Sequence, residues 1–194
     1  MSDAATLVQI FVNKECNLHC PYCFVKKFPS KFCPEKIELP DSFREILILG
    51  GEPGLLDKKE VEILFEKLKG ITQPISIATN GLFIKKYYDL YPNFQYVYHI
   101  TDYKTVYDLP NITNLIVVTS TNIDTVLKLV QDNMNINFSI NENLFEHLIS
   151  IPIVNKKYLK LLTLPNVNKI CKRYKNQSSL PKEVLYIIDA YEKI

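Results

Sequence analysis

With 194 residues, 47% of them hydrophobic, the chain is sized for one globular domain with a substantial core. Lys and Arg number 23 against 21 Asp and Glu, a formal charge of +2, which excludes the strong basic field that would make nucleic acid the default partner. Only Arg44 and Arg173 are arginines, so the side chain best suited to bidentate reading of guanine and phosphate is scarce as well.

The leading segment MSDAATLVQIFVNKEC lacks the basic start and small-residue cleavage site of a signal peptide. No uncharged apolar run approaches the roughly 20 residues of a membrane span, so the expectation is a cytoplasmic protein with no membrane partner. Thr6 to Val12 is apolar and rich in branched residues, which reads as a buried strand. It leads into Cys16, Cys20 and Cys23 within ten residues. Ile46 to Leu49 is a second buried strand, running into Gly50-Gly51-Glu52-Pro53-Gly54. From Lys58 to Lys69, Val61, Leu64, Phe65 and Leu68 recur at helical spacing. PISIAT is a third strand ending at Thr79, Asn80-Gly81 a turn, and LFIKKYYDL a helix.

Tyr96 to Ile100 reads as the fourth strand and NLIVVTS as the fifth, joined by a Pro110-containing connection with little helical pattern. A helix is expected from about Asn122 to Val130, and NINFSI is the sixth strand. Beyond Ile151 the pattern blurs, and SSLPKEVLYIIDAYEKI is expected to be a final helix with Val184, Leu185, Ile188 and Tyr191 along one side. The organisation expected is a core over residues 1–150 and an extension over 151–194 packed on it. Strands alternating with helices imply an α/β fold with a parallel sheet, whose ligand site forms at the carboxyl ends of the strands. The cysteine loop, the glycine turn and Asn80-Gly81 all fall there.

Three thiols are one short of a tetrahedral zinc or a closed iron-sulfur cluster. With His19 as a fourth ligand, the loop alone is open to a zinc reading. An electron-transfer ferredoxin needs four ligands and no β/α scaffold. Cys33 and Cys171 are too scattered for an auxiliary cluster and read as a buried or an incidental surface thiol, with Cys33 also open to a role as hydrogen-atom donor. His99 reads equally as a core histidine or a cofactor contact. The lysines and tyrosines of NKKYLK and KKYYDLYP read as solvated faces rather than an RNA surface.

Cys16, Cys20 and Cys23, with Tyr22 between the last two, form a CxxxCxΦC pattern in which Φ is aromatic. With GGEP after the second strand and TNG after the third, the chain resembles the radical S-adenosylmethionine (radical SAM) superfamily. The three motifs cover the first half of the chain. The resemblance implies a partial (β/α)6 barrel of the TIM type with parallel strands, one irregular crossover and a C-terminal helical extension. It implies a [4Fe-4S] cluster on the three thiolates, with one iron left open to the amine and carboxylate of S-adenosylmethionine. Gly50, Gly51, Glu52 and Pro53 would meet the methionine end, Tyr22 would lie against the adenine, and Thr79, Asn80, Ser120 and Asn122 would complete the cofactor contacts.

The activity implied is reductive cleavage of the cofactor to a 5′-deoxyadenosyl radical that abstracts hydrogen. An external electron donor such as flavodoxin or ferredoxin would supply the electron. Small size leaves no room for the extra domains of large relatives, and an abbreviated barrel with a missing helix would leave a wide lateral opening suited to a peptide or protein substrate. Three alternatives stay open: an activase that installs a glycyl radical in a partner such as anaerobic ribonucleotide reductase, a small-molecule enzyme of the carboxy-deazaguanine synthase type, and a non-catalytic scaffold that retains the fold. Against the synthase, Phe24-Val25 follows the last cysteine of the motif where those enzymes tend to have an Asp-Thr pair associated with magnesium.

Overall fold

A computed structural model describes residues 6–21, 23, 25–102, 104–118, 122, 124–126, 136–140 and 184–194. In chain order the elements are β1 (Thr6–Phe11), β2 (Ser30–Phe32), β3 (Glu45–Leu49), α1 (Lys58–Lys67), β4 (Ile75–Thr79), α2 (Leu82–Tyr87), β5 (Gln95–His99), β6 (Ile112–Val118), β7 (Ile136–Ile140), β8 (Val184–Asp189) and β9 (Tyr191–Lys193). The chain divides into two compact units, Met1–Val97 with Pro181–Ile194, and Tyr98–Leu180. The class is α/β with a mostly parallel sheet. Among the described residues no helix is long and apolar enough to cross a membrane.

In the first unit the strands lie in the order β5-β4-β3-β1-β8, β5 running across the division between units. β1 pairs in parallel with β3 and β8, and β3 in parallel with β4. The registers place Ile188, Ile10, Ile48 and Ile77 side by side across four strands. Each is 6% exposed or less, so this isoleucine row is the centre of the core. Complete burial of one such side chain is worth about 1.5–3 kcal/mol, and β-branched side chains suit the pleated surface.

α1 opens on a reciprocal cap: Asp57 Oδ1 accepts from the Glu60 N–H at 2.8 Å, and Glu60 Oε2 accepts from the Asp57 N–H at 2.9 Å. Val61, Leu64 and Leu68 are buried, as the spacing predicts. Phe65 stacks on Phe94 at 4.5 Å between ring centroids and meets Phe83 of α2 edge-on at 6.4 Å. β2 and β9 form a separate antiparallel ribbon.

In the second unit β6 and β7 pair in parallel. The described residues between β5 and β6 contain no helix, as the irregular connection led one to expect. Of the helix expected from about Asn122 to Val130, residues 122 and 124–126 are described: 124–126 are helical and Asn122 lies in a turn before them.

The expected C-terminal helical extension is corrected where it is described. Residues 184–189 are a strand of the main sheet and 191–193 a strand of the ribbon. Positions 184, 185, 188 and 191 satisfy a helical period, yet the solvent pattern alternates: Ile188 and Ala190 are buried while Ile187 and Asp189 are exposed. A short apolar run fits both periods, and pairing with β1 decides between them. The rest of the expected extension, residues 151–183, lies outside the described residues.

The alternation carries a measurable asymmetry. Ile188→Ala should destabilise the protein by about 2–4 kcal/mol in urea denaturation, and Ile187→Ala, at a position 56% exposed, by less than about 0.5 kcal/mol. Equal losses at the two positions would contradict the strand.

Candidate functional site

Parallel pairing brings the carboxyl ends of β1, β3 and β4 to one edge of the sheet, so the cysteine loop, the Gly50-Gly51 turn and the Asn80-Gly81 turn emerge side by side. Asn13, the first polar residue after β1, joins two of them. Its Oδ1 and its carbonyl both accept from the Gly51 N–H at 3.1 Å, and its Nδ2 donates to the Glu52 carbonyl at 2.9 Å. The Glu15 carbonyl accepts from the Glu52 N–H at 2.7 Å. Farther along, the Lys14 N–H donates to Ser30 Oγ at 2.7 Å and the Ser30 N–H to Glu15 Oε1 at 3.1 Å, tying the loop to β2.

This clamp is what requires glycine. A Cβ on Gly51 would stand 1.7 Å from the Glu15 carbonyl oxygen, and one on Gly50 2.4 Å from that of Asn13. The protein's own loop fills the space beside both residues, a use distinct from the close ligand approach that the resemblance implies.

Glu52 is fully buried. Its Oε1 accepts from the Gly54 N–H at 2.8 Å and the Thr79 hydroxyl at 2.7 Å, and its Oε2 from the Asn80 N–H at 2.7 Å. Burial pushes the carboxyl above its ordinary value, and these donors pull it part of the way back. The side chain expected at the cofactor's ammonium is thus turned into the protein. Pro53, also buried, begins the short 3-10 turn Pro53–Leu55 that Glu52 caps.

Thr79 is committed in the same way. While donating to Glu52, its Oγ accepts from the Gly81 N–H at 3.0 Å and the Phe83 N–H at 3.3 Å, which uses the one donor and both acceptor sites of a hydroxyl. Gly81, at φ 102, turns the chain into α2 in a conformation that favours glycine. Asn80 faces the cysteine loop: its Nδ2 lies 2.9 Å from Asn17 Oδ1 and 3.7 Å from Cys16 Sγ.

Cys16 and Cys20 are half-buried and Cys23 is exposed, all three as free thiols. Burial pushes the Cys16 thiol up, opposed by the Leu18 N–H, 3.4 Å from its sulfur, and by the Lys27 ammonium. The Cys23 N–H donates to the Cys20 carbonyl at 3.1 Å. His19 is exposed. Among the described residues, no three His, Cys, Asp or Glu side chains converge on a point where one metal ion could sit. A tetrahedral single-ion site needs such convergence. Cys16, Cys20 and Cys23 share one loop, which is hydrogen-bonded to the turns after β3 and β4, and they are the thiols that would hold a cluster.

Cys33 caps the turn Pro34–Lys36, its N–H donating to the Ala190 carbonyl at 2.9 Å and its thiol 3.5 Å from Glu35 Oε2. Asn122, in the second unit, donates through Nδ2 to the Val117 carbonyl at 2.8 Å at the end of β6. His99 ends β5 in the same unit, and burial lowers its pKa. Tyr22, Ser120 and Cys171 lie outside the described residues. Asn13 and Ser30 were not singled out from the sequence; the signal for Asn13 is a small amide directly after an apolar strand, where the chain turns.

Glu52→Gln should cost about 1–3 kcal/mol in urea denaturation, because the amide cannot accept from all of the Gly54, Thr79 and Asn80 donors. Folded Glu52 holds its proton more tightly than unfolded, so its contribution to stability falls as pH rises from 4.5 through the folded pKa, then levels off. That slope should vanish in Glu52→Gln; a slope unchanged in the variant assigns it to other groups. Gly51→Ala should displace the cysteine loop, seen as faster alkylation of Cys16, and alkylation at the wild-type rate would refute the clamp. The chain matches no protein-family model, and no curated protein is significantly similar to it.

Proposed function

We propose that the protein is a radical SAM enzyme of near-minimal size, its parallel sheet part of a (β/α)6 barrel, with a [4Fe-4S] cluster on Cys16, Cys20 and Cys23. The observation that carries this reading is the hydrogen-bonded junction of the cysteine loop with the turns after β3 and β4. Three motifs spread over 65 residues, Cys16 to Asn80, meet at one edge of the sheet, where a parallel sheet binds its ligand.

In this reading the three thiolates hold the cluster, and the Gly50 and Gly51 carbonyls receive the ammonium of S-adenosylmethionine. Glu52 and Thr79 hold both turns still from behind, leaving Asn80 toward the loop. Such a site, fixed before the cofactor arrives, loses little entropy on binding. When bound and reduced, the cluster and cofactor supply hydrogen-atom abstraction from an unreactive carbon. The electron comes from a donor protein such as flavodoxin or ferredoxin. We assign the substrate to the peptide or protein class; the described residues between β5 and β6 contain no helix, which is consistent with the abbreviated barrel on which that assignment rests.

Anaerobic reconstitution with iron and sulfide, then dithionite and S-adenosylmethionine, should yield 5′-deoxyadenosine by mass spectrometry. Cys16→Ala, Cys20→Ala and Cys23→Ala should each abolish the visible absorption of the cluster. A zinc-loaded protein that takes up no iron, or a variant with an unaltered cluster, would overturn the reading.

A further inference from the structure

Asn80 is fixed at three points before its contact with sulfur is considered. Its backbone N–H donates to Glu52 Oε2 at 2.7 Å, its Oδ1 accepts from the Leu82 N–H at 3.4 Å, and its Nδ2 donates to Asn17 Oδ1 at 2.9 Å. These contacts settle which side of the amide is nitrogen and use one of its two hydrogens. The other is left for Cys16 Sγ, 3.7 Å from Nδ2. The same sulfur accepts from the Leu18 N–H at 3.4 Å.

Among the described residues no N–H donor is hydrogen-bonded to the sulfur of Cys20 or Cys23, and the Cys23 thiol instead donates to the Val25 carbonyl at 3.8 Å. Two N–H groups therefore converge on one ligand of the three. Asn80 stands on a rigid support, since the turn that carries it is pinned by a buried carboxylate and by Thr79.

Resting on the cluster reading above, we infer that Asn80 is a positioning residue that sets the cluster's reduction potential through Cys16. An N–H aimed at a thiolate stabilises negative charge on sulfur. Reduction adds negative charge to the cluster, so the contact favours the reduced state and raises the potential. The Leu18 N–H acts in the same direction as part of the loop, whereas Asn80 comes from a different strand end. The potential is thus tied to correct seating of the turn after β4 against the loop.

The test is an EPR-monitored redox titration of anaerobically reconstituted wild-type, Asn80→Ala and Asn80→Asp proteins, with iron content and circular dichroism measured on each. Asn80→Ala should retain the cluster with a more negative midpoint potential. Asn80→Asp, similar in shape but bringing an acceptor and a negative charge, should fall lower still. If the alanine variant does not load, the aspartate variant is read alone by the same criterion. A loaded variant with the wild-type potential overturns the inference, as does loss of the cluster from both variants with their fold intact, which would leave Asn80 a purely structural role. Failure of the wild-type protein to form any cluster is a different result and removes the functional reading itself.

Discussion

The carboxylate of Glu52, wholly out of water, is the constraint on which the candidate site depends. A buried charge is tolerated only where donors replace its hydration, and here they come from its own turn, the end of β4 and the turn leading into α2. Satisfying one carboxylate thereby fixes the spacing between two strand ends. The Glu52 backbone extends the arrangement to a third, through its carbonyl to Asn13 and its N–H to Glu15. One residue spans three loops, its side chain facing one neighbour and its main chain the other.

This division of labour separates support from contact. Thr79 has its hydrogen-bonding capacity taken up inside the protein, and Glu52 is buried with three donors on its carboxylate, so both serve to hold other groups in place. The Asn80 amide, by contrast, reaches across to the cysteine loop. A site built from main-chain atoms on pinned turns is stiff where side chains with several rotatable bonds would not be.

Much of the fold was legible because its signals were local. The strand runs at Thr6, Ile46 and Ile75, the amphipathic period of α1 and the Asn80-Gly81 turn each sit within a few residues, and each formed where expected. β8 was missed because Val184 to Ile188 fits helix and strand alike until a partner is known, and its partner β1 lies at the opposite end of the sequence. The ribbon of β2 with β9 was invisible for the same reason, being three residues long on each side. At the site, the motifs located the right turns but not which way their side chains point. Nothing in GGEP distinguishes a glutamate aimed at a ligand from one aimed at Thr79, and only the position of β4 decides.

The pairing of β8 with β1 has a consequence for synthesis on the ribosome. The Ala190 N–H donates to the Phe11 carbonyl and the Ala190 carbonyl accepts from Cys33, so the segment carrying the cysteines is flanked by residues translated much later. Contacts this distant in sequence form late, and until they do β1 presents an unpaired edge. Until those residues are made, β1 lacks one of its two parallel partners and Cys33 lacks the carbonyl that its N–H meets in the folded protein.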